Sequence, residues 1–343
     1  MPRARKRGAQ CPASKVSLVL SIVLFMLGAA FIFYPAASSI AARGESDAAL
    51  SKMRRELVQG SAAQQTSVDG GVTYRSKSND STYLKLQRYN EAVRTGTSQQ
   101  INDPFAFNGG ELNDLGLPDG IIGSITIPRM SVTLPLYLGA TDDHMNKGAG
   151  IIAGTSMPLG EKDSNTVVAA HRGALHGLLM FRNIESMQPG DQVVVETPWE
   201  TIVYATVSTK IIDKADADAL NIQSGRDMLT LFTCHPYGQN SQRYLVFCEK
   251  TDAKPKAADP GAIADAITGF LPPTASTASP MLVFEDWLRI LGLALTVLCG
   301  LAILTSAWRL YRQSRERKHA ARVRALTARN DAERCREGRD DRQ

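Results

Sequence analysis

Two apolar runs divide this chain of 343 residues and limit what the stretch between them can become. Val16 to Tyr34 is apolar apart from Ser17, Ser21 and Gly28, about the length a helix needs to cross the hydrocarbon of a bilayer. Leu288 to Trp308 is the second run, interrupted only by Arg289 near its start and by small Gly, Thr and Ser residues. Arg3, Arg5, Lys6 and Arg7 lie outside the first run, and an Arg- and Lys-rich stretch from Arg309 to Arg324 lies outside the second. Because basic flanks stay on the cytoplasmic side, both termini are expected in the cytoplasm and residues from about 37 to 286 outside. The chain then reads as a two-pass protein of the cell membrane. It has a basic end over 1–15, a span over 16–36, an extracellular middle, a span over 287–308 and a basic tail over 309–343. The alternative for the first run is a signal peptide cleaved among the small residues Ala36 to Ala42, with the second run still holding the chain in the membrane.

Charge points the same way. The net charge is +5, and its concentration at the two ends favours anionic membrane lipid as a partner. The middle has no basic patch interleaved with aromatics, so nucleic acid is not an expected partner. Of five cysteines, Cys11 and Cys335 fall in the ends and Cys299 in the second span, which leaves Cys234 and Cys248 outside. An exported pair of cysteines raises the question of a disulfide. Strand parity answers against it: Arg243, Leu245 and Phe247 share one face, so an Arg243 that faces Cys234 puts Cys248 on the other side. Cys234 is read as a free thiol and Cys248 as a buried one.

Within the middle, residues 37–98 form a helical region. Ala41 to Gly60 reads as one helix, Ser61 to Tyr74 as a loop, and Ser81 to Thr95 as a second helix with its apolar residues at helical spacing. Residues 99–120 are polar and rich in Asn, Asp, Gly and Pro, a long irregular stretch of the kind that carries function or is disordered. From Ile121 onward short strands alternate with turns. Candidates are Ile121–Ile127, Val132–Tyr137, Asn165–Ala170, Gln192–Glu196, Thr201–Ile212, Met228–Cys234 and Arg243–Glu249. Such a series predicts a mostly-β domain closed, or nearly closed, into a barrel over 121–252. Residues 253–286, rich in Ala, Pro, Thr and Ser over much of their length, read as a linker to the second span.

The chemistry gathers at one hairpin. Leu229 to Cys234 alternates up to a thiol at a strand end, His235 to Ser241 carries turn residues, and Arg243 opens the returning strand. A thiol with its ordinary pKa near 8.5 is only a few per cent thiolate at neutral pH, so it needs a partner. Four histidines are available outside: His144, His171, His176 and His235. His171 ends the strand-like run Thr166–Ala170 and precedes Arg172-Gly173, where a rigid scaffold holds it open to substrate. His235 adjoins the cysteine, and neighbours on a strand point to opposite faces. His171 is favoured, with His176 and His235 as the alternatives. Arg243 supplies a permanent charge that can hold a developing oxyanion, against the plainer reading of a strand-edge surface arginine. Zinc is the rival use of His171, His176, Cys234 and His235, but the spacing fits no common ligand pattern and there is no Cys-x-x-Cys. No metal or organic cofactor is expected.

Thr230–Cys234, Arg243 nine residues on, and His171-Arg172-Gly173 after a strand together resemble the sortases, Gram-positive cell-surface cysteine transpeptidases. Ile122–Pro128, Leu134–Tyr137, Gly148–Gly150 and Gly154–Pro158 resemble the early strands and turns of that family's barrel. The likeness covers roughly residues 80 to 250. It implies a closed barrel of about eight strands, Cys234 as nucleophile, His171 as acid/base, and Arg243 as oxyanion stabiliser or substrate orienter. Asp103-Pro104-Phe105, inside residues 99–120, resembles the lid of the class C, pilus-building members, with Phe at a position where Trp also occurs. The plain alternative is an Asx-Pro turn. The resemblance further implies cleavage of a Leu-Pro-x-Thr-Gly-like sorting signal at Thr–Gly. A pilin lysine then takes over the acyl group, forming an isopeptide bond. A housekeeping sortase that anchors proteins to the cell wall, and an inert membrane-anchored binding domain, are the alternatives. If Asp103 and Phe105 cover the thiol, replacing either by Ala raises the rate at which a thiol reagent labels Cys234; unchanged labelling removes the lid.

Overall fold

The computed structural model describes residues 22–23, 25–26, 28–30, 41, 44–55, 65–69, 72–96, 117–173, 179–256 and 280–340. The chain separates into two compact units, one of residues 1–33 with 289–343 and one of residues 34–288.

In the second unit a helical run over 44–55 (α1) comes first. It is followed by a two-stranded antiparallel hairpin, β1 (Gln65–Asp69) and β2 (Val72–Arg75). The hairpin corrects the loop expected over Ser61 to Tyr74. Its strands pair through the backbone and lack the run of alternating apolar residues that marks a strand in sequence. Next is α2 (Ser81–Arg94), whose first free N–H groups are capped by the Asp80 side chain, accepting from Thr82 N at 2.8 Å and Tyr83 N at 3.2 Å. Its buried face carries Tyr83, Leu86 and Asn90. Tyr83 meets Trp199 edge-on at 5.4 Å. The Asn90 amide donates to Met157 O and accepts from Met157 N, which fixes the helix to the barrel.

The barrel has eight strands: β3 (Ile121–Ile127), β4 (Val132–Leu138), β5 (Ala149–Ile151), β6 (Ser164–Ala169), β7 (Gln192–Glu196), β8 (Thr201–Asp213), β9 (Asp227–His235) and β10 (Gln242–Lys250). A short helix α3 (Asp142–Lys147) sits between β4 and β5. The strands close in the order β10-β8-β7-β3-β4-β5-β6-β9, and closure leaves no exposed sheet edge. Pairing is antiparallel except for β4 with β5 and β6 with β9. Seven of these strands match the expected ones within a residue at each end. The exception is β5, three residues around Gly150 with Gly148 just before. A Cβ on Gly148 would lie 2.5 Å from Pro135 O, and one on Gly150 2.6 Å from Gly139 O. Close backbone approach demands glycine there, so no side-chain alternation can announce the strand.

Strands β6, β9 and β10 are buried on both faces. Val168, Leu229, Leu231, Val246 and Cys248 enter one apolar cluster, while Val167, Ala169, Phe232 and Leu245 enter the other. Along β9 every residue from Asp227 to Thr233 is buried, and only Cys234 and His235 open towards solvent.

The last helix, α4 (Pro280–Asp340), whose residues from 289 onward belong to the first unit, is continuous. Its segment Ile290–Trp308, 19 residues with a mean hydropathy of 2.3, is long and apolar enough to cross a membrane, and among the described residues no other helix is. The helix starts inside the stretch 253–286 read as linker, which corrects that boundary; Pro280 fits the first turn of a helix, where its missing N–H is no loss. Of the expected first span, residues 22–23, 25–26 and 28–30 are helical and the rest lies outside the described residues.

The buried end of β9 carries a charge problem. Asp227 Oδ1 accepts from Ser164 Oγ at 3.1 Å and Tyr204 OH at 3.2 Å, while Oδ2 has only Lys250 Nζ at 3.8 Å. Burial pushes the Asp227 pKa up to about 6, against the pull of Lys250 and the hydroxyls. A carboxyl that holds its proton more tightly when folded stabilises the fold most below its unfolded pKa, and that stability is lost as pH rises towards 6. Asp227→Asn is therefore expected to be more stable than the parent at neutral pH by about 1–3 kcal/mol, with the advantage gone near pH 4. Denaturant unfolding at the two pH values checks this; an advantage that grows in acid contradicts it.

Candidate active site

Adjacent strands bring the three expected residues to one end of the barrel. Cys234 on β9 and Arg243 on β10 are direct partners in the antiparallel ladder, so their side chains leave the same face of the sheet. On the other side of β9, β6 runs parallel with Ala169 opposite Phe232. The pairing continues past the end of β6. Ala170 N donates to Phe232 O at 3.3 Å, and Thr233 Oγ1 donates to Ala170 O at 2.7 Å. Carried on at the same offset, this register sets His171 level with Cys234. Parity then gives His171, Cys234 and Arg243 one face, the face that buries Val167, Ala169, Phe232 and Leu245.

Each group has its own local support. The His171 carbonyl accepts from Phe181 N at 3.1 Å, which holds the turn after β6. Arg243 Nη1 donates to Gln242 O at 2.9 Å and Asn240 O at 3.2 Å, and the guanidinium lies over the Phe232 ring at 5.9 Å. Cys234 is half-buried and its thiol is free. Such a set combines an accessible sulfur nucleophile, a titratable group beside it and a fixed cation across from it, the parts needed for acyl transfer.

The other candidates separate by face. Cys248 pairs with Leu229 and is fully buried in the opposite cluster. Burial pushes its thiol up to about 12, against the Thr206 hydroxyl 3.6 Å away, and no disulfide links it to Cys234. His144 is held in a structural role, with Nδ1 2.9 Å from Gly139 O and its ring stacked on Tyr137 at 4.8 Å. His235 shares its face with Thr233 and lies 5.6 Å from the ring of Tyr244, away from the thiol, as its adjacency to Cys234 requires. His176, Asp103, Pro104 and Phe105 lie outside the described residues. Among the described residues no cluster of His, Cys, Asp and Glu forms a metal-holding group.

Behind the site lies a buried charged group that sequence reading passed over. Arg172, whose side chain is 1% exposed, places Nη2 2.7 Å from Glu185 Oε1, in line for charge pairing but too bent for a hydrogen bond. Its Nη1 is 2.9 Å from His235 Nδ1 and donates to Cys234 O at 3.4 Å. Removing Glu185 would strand this cation in the interior, a loss of about 3–5 kcal/mol. Nearby, Arg182 Nη1 donates to Tyr237 OH at 3.2 Å and pins the segment that follows the cysteine. In sequence Arg172 reads as part of a turn and of the His171-Arg172-Gly173 motif, with no role of its own, and Glu185 lies in a short helical turn, Ile184–Ser186, with no motif to mark it.

Cys234 and Cys248 should differ sharply in reactivity. Peptide mapping after brief alkylation at neutral pH is expected to show Cys234 modified and Cys248 untouched until the barrel is unfolded. Equal labelling of both would contradict the assigned faces.

Residues 125–251 match the family model described as "Sortase domain". Sortase D of Bacillus subtilis (strain 168) is 28% identical over 128 residues, 36% of this chain and 61% of the relative. Sortase A of Bacillus anthracis is 27% identical over 136 residues, 40% of this chain and 62% of the relative. The chain thus spans less than two thirds of the length of these curated relatives. A crystal structure of Streptococcus agalactiae sortase C1 superposes with a TM-score of 0.52 at 25% identity, covering 62% of this chain and all of that one.

Proposed function

We propose that the chain, whose residues 125–251 match the sortase domain model, is a membrane-anchored cysteine transpeptidase. The observation that carries the reading is the three-strand arrangement in which Cys234 and Arg243 are ladder partners and the β6 register brings His171 level with the thiol. Cys234, its thiol proton passed to His171, attacks through Sγ the threonine carbonyl carbon of a Leu-Pro-x-Thr-Gly-like sorting signal. Arg243 faces the oxygen on which negative charge develops, where its planar, permanently charged guanidinium holds it. As the Thr–Gly bond breaks, His171 gives a proton to the leaving glycine amine and a thioester remains on the enzyme. An incoming amine attacks the thioester, its surplus proton passes to His171, and the thiolate leaves. One amide is replaced by another, so no energy-rich co-substrate enters the balance.

For the acceptor we favour a lysine of a pilin subunit, giving an isopeptide bond between subunits. Two features support it: the likeness to sortase C1 and the apolar segment Ile290–Trp308 after the catalytic domain. Asp103-Pro104-Phe105 would cover the thiol between turnovers in this scheme. A second reading, transfer to a cell-wall amine, shares every step up to the thioester.

Incubating the full chain with a sorting-signal peptide and weighing the protein by mass spectrometry tests the shared steps. A Cys234-linked acyl-enzyme is expected, absent in Cys234→Ala. In Arg243→Lys its formation should be slower by about tenfold or more, because lysine lacks the planar fork. An acyl adduct that survives Cys234→Ala, or none at all with the parent chain, overturns the reading. Competition between a pilin lysine and a peptidoglycan amine for the thioester separates the two acceptors.

A further inference from the structure

The three catalytic residues share one face of β6, β9 and β10, and the buried charged group lies on the other. Arg172 follows His171 and His235 follows Cys234, so two of the three are each joined by one peptide bond to a residue pointing the opposite way. There the two second residues touch: Arg172 Nη1 is 2.9 Å from His235 Nδ1 and 3.4 Å from the carbonyl oxygen of Cys234 itself. Glu185 Oε1 completes the group, 2.7 Å from Arg172 Nη2 and 3.3 Å from His235 Nδ1. The side chains of Glu185 and His235 are only 10% and 14% exposed.

We propose that Arg172, Glu185 and His235 form a strut that sets the spacing of His171 and Cys234, and that the strut holds only while His235 is neutral. They are positioning residues for the transpeptidation read above, on which this inference rests. A guanidinium has donors and no acceptor, so the nitrogen facing Arg172 Nη1 must present its lone pair. His235 is thereby fixed as the tautomer with its proton on Nε2. Protonating Nδ1 turns that donor–acceptor contact into two cations facing each other, with Glu185 as the one carboxylate between them. The groups packed on the ring are Arg172 after β6, Glu185 from the Ile184–Ser186 turn and Tyr244 from β10. Burial and Arg172 hold the His235 pKa below its ordinary value against the opposing pull of Glu185. The strut is thus complete above about pH 6.5 and opens as pH falls through that lowered value.

Such a strut makes the rate of acylation, more than peptide binding, depend on residues that never touch substrate. In the full chain, Arg172→Met and His235→Ala should each slow thioester formation at Cys234 by about tenfold with KM for the peptide little changed. His235→Asn puts an amide oxygen where Nδ1 accepts and cannot titrate, so it should recover most of the rate lost in His235→Ala. As pH falls from about 7.5 to well below the ordinary imidazole value of about 6.5, the parent should lose rate that His235→Asn keeps. Iodoacetamide alkylation of Cys234, which needs no sorting signal, should follow the same order. If no peptide acylates the parent chain, the functional reading falls while the alkylation profile still decides the strut. Two outcomes overturn the strut: His235→Asn no faster than His235→Ala, or the same acid loss in His235→Asn as in the parent.

Discussion

The register of β9 against its two neighbours is the constraint on which the rest of this structure depends. One neighbour, β10, runs antiparallel and the other, β6, parallel, and each delivers one residue beside Cys234. Side chains alternate with period two, so a slip of one residue in either pairing would turn His171 or Arg243 to the opposite face. What prevents the slip is packing several residues back from the site. Val167 and Val168, Leu231 and Phe232, and Leu245 and Val246 each divide between two apolar clusters. A shift would exchange large and small side chains across both faces at once, and close-packed interiors do not tolerate that. The chemistry at the open end is aligned by hydrocarbon in the closed middle.

Polar groups inside the barrel make the two ends of β9 unlike. At the start of the strand, Asp227 is held by two hydroxyls and a distant lysine, an arrangement in which the uncharged carboxyl suits the interior better. At the other end, Arg172 keeps its charge because no protein environment removes it, and Glu185 and His235 are arranged around it. A buried ion pair is weak evidence for stability, since desolvating both charges offsets most of their attraction. Its better explanation is geometric: a guanidinium with a fixed fork of donors determines where its partners stand. Cys234 and His235 at the end of β9 and Glu185 of a separate turn are located by one planar group.

Outside the barrel, the segments before β3 are tied on at several points. Arg75 N donates to Pro198 O at 2.8 Å, Tyr74 OH lies 2.7 Å from Thr201 Oγ1, and Lys77 pairs with Glu200 at 2.5 Å. Together with the double hydrogen bond of Asn90 to Met157, these contacts tie the hairpin and α2 to the barrel. A sequence with two apolar runs at its ends must build this whole assembly from what lies between them, and closing the sheet into a barrel buries an apolar core without leaving a sheet edge to aggregate.

Much of this was legible in the chain itself. Alternating Val, Ile, Leu and Thr runs marked seven of the eight barrel strands, because a strand with a buried face writes its period into the sequence. The parity of Arg243 and Cys248 foretold that Cys234 would be free and Cys248 buried, because that inference needs only the pleat. β5 is absent from the strands read from alternation and the β1–β2 hairpin reads as loop, since one is held by glycine-permitted backbone approach and the other by backbone pairing. Neither leaves a side-chain signature. Sequence reading favours His171 without its spatial reason: the β6–β9 pairing joins residues more than sixty positions apart, and its register, carried past Ala169, sets His171 level with Cys234. Tertiary structure alone brought Glu185 under Arg172 and His235. A buried charge cluster is assembled from separate segments by packing, and nothing local in the sequence states which charges will meet.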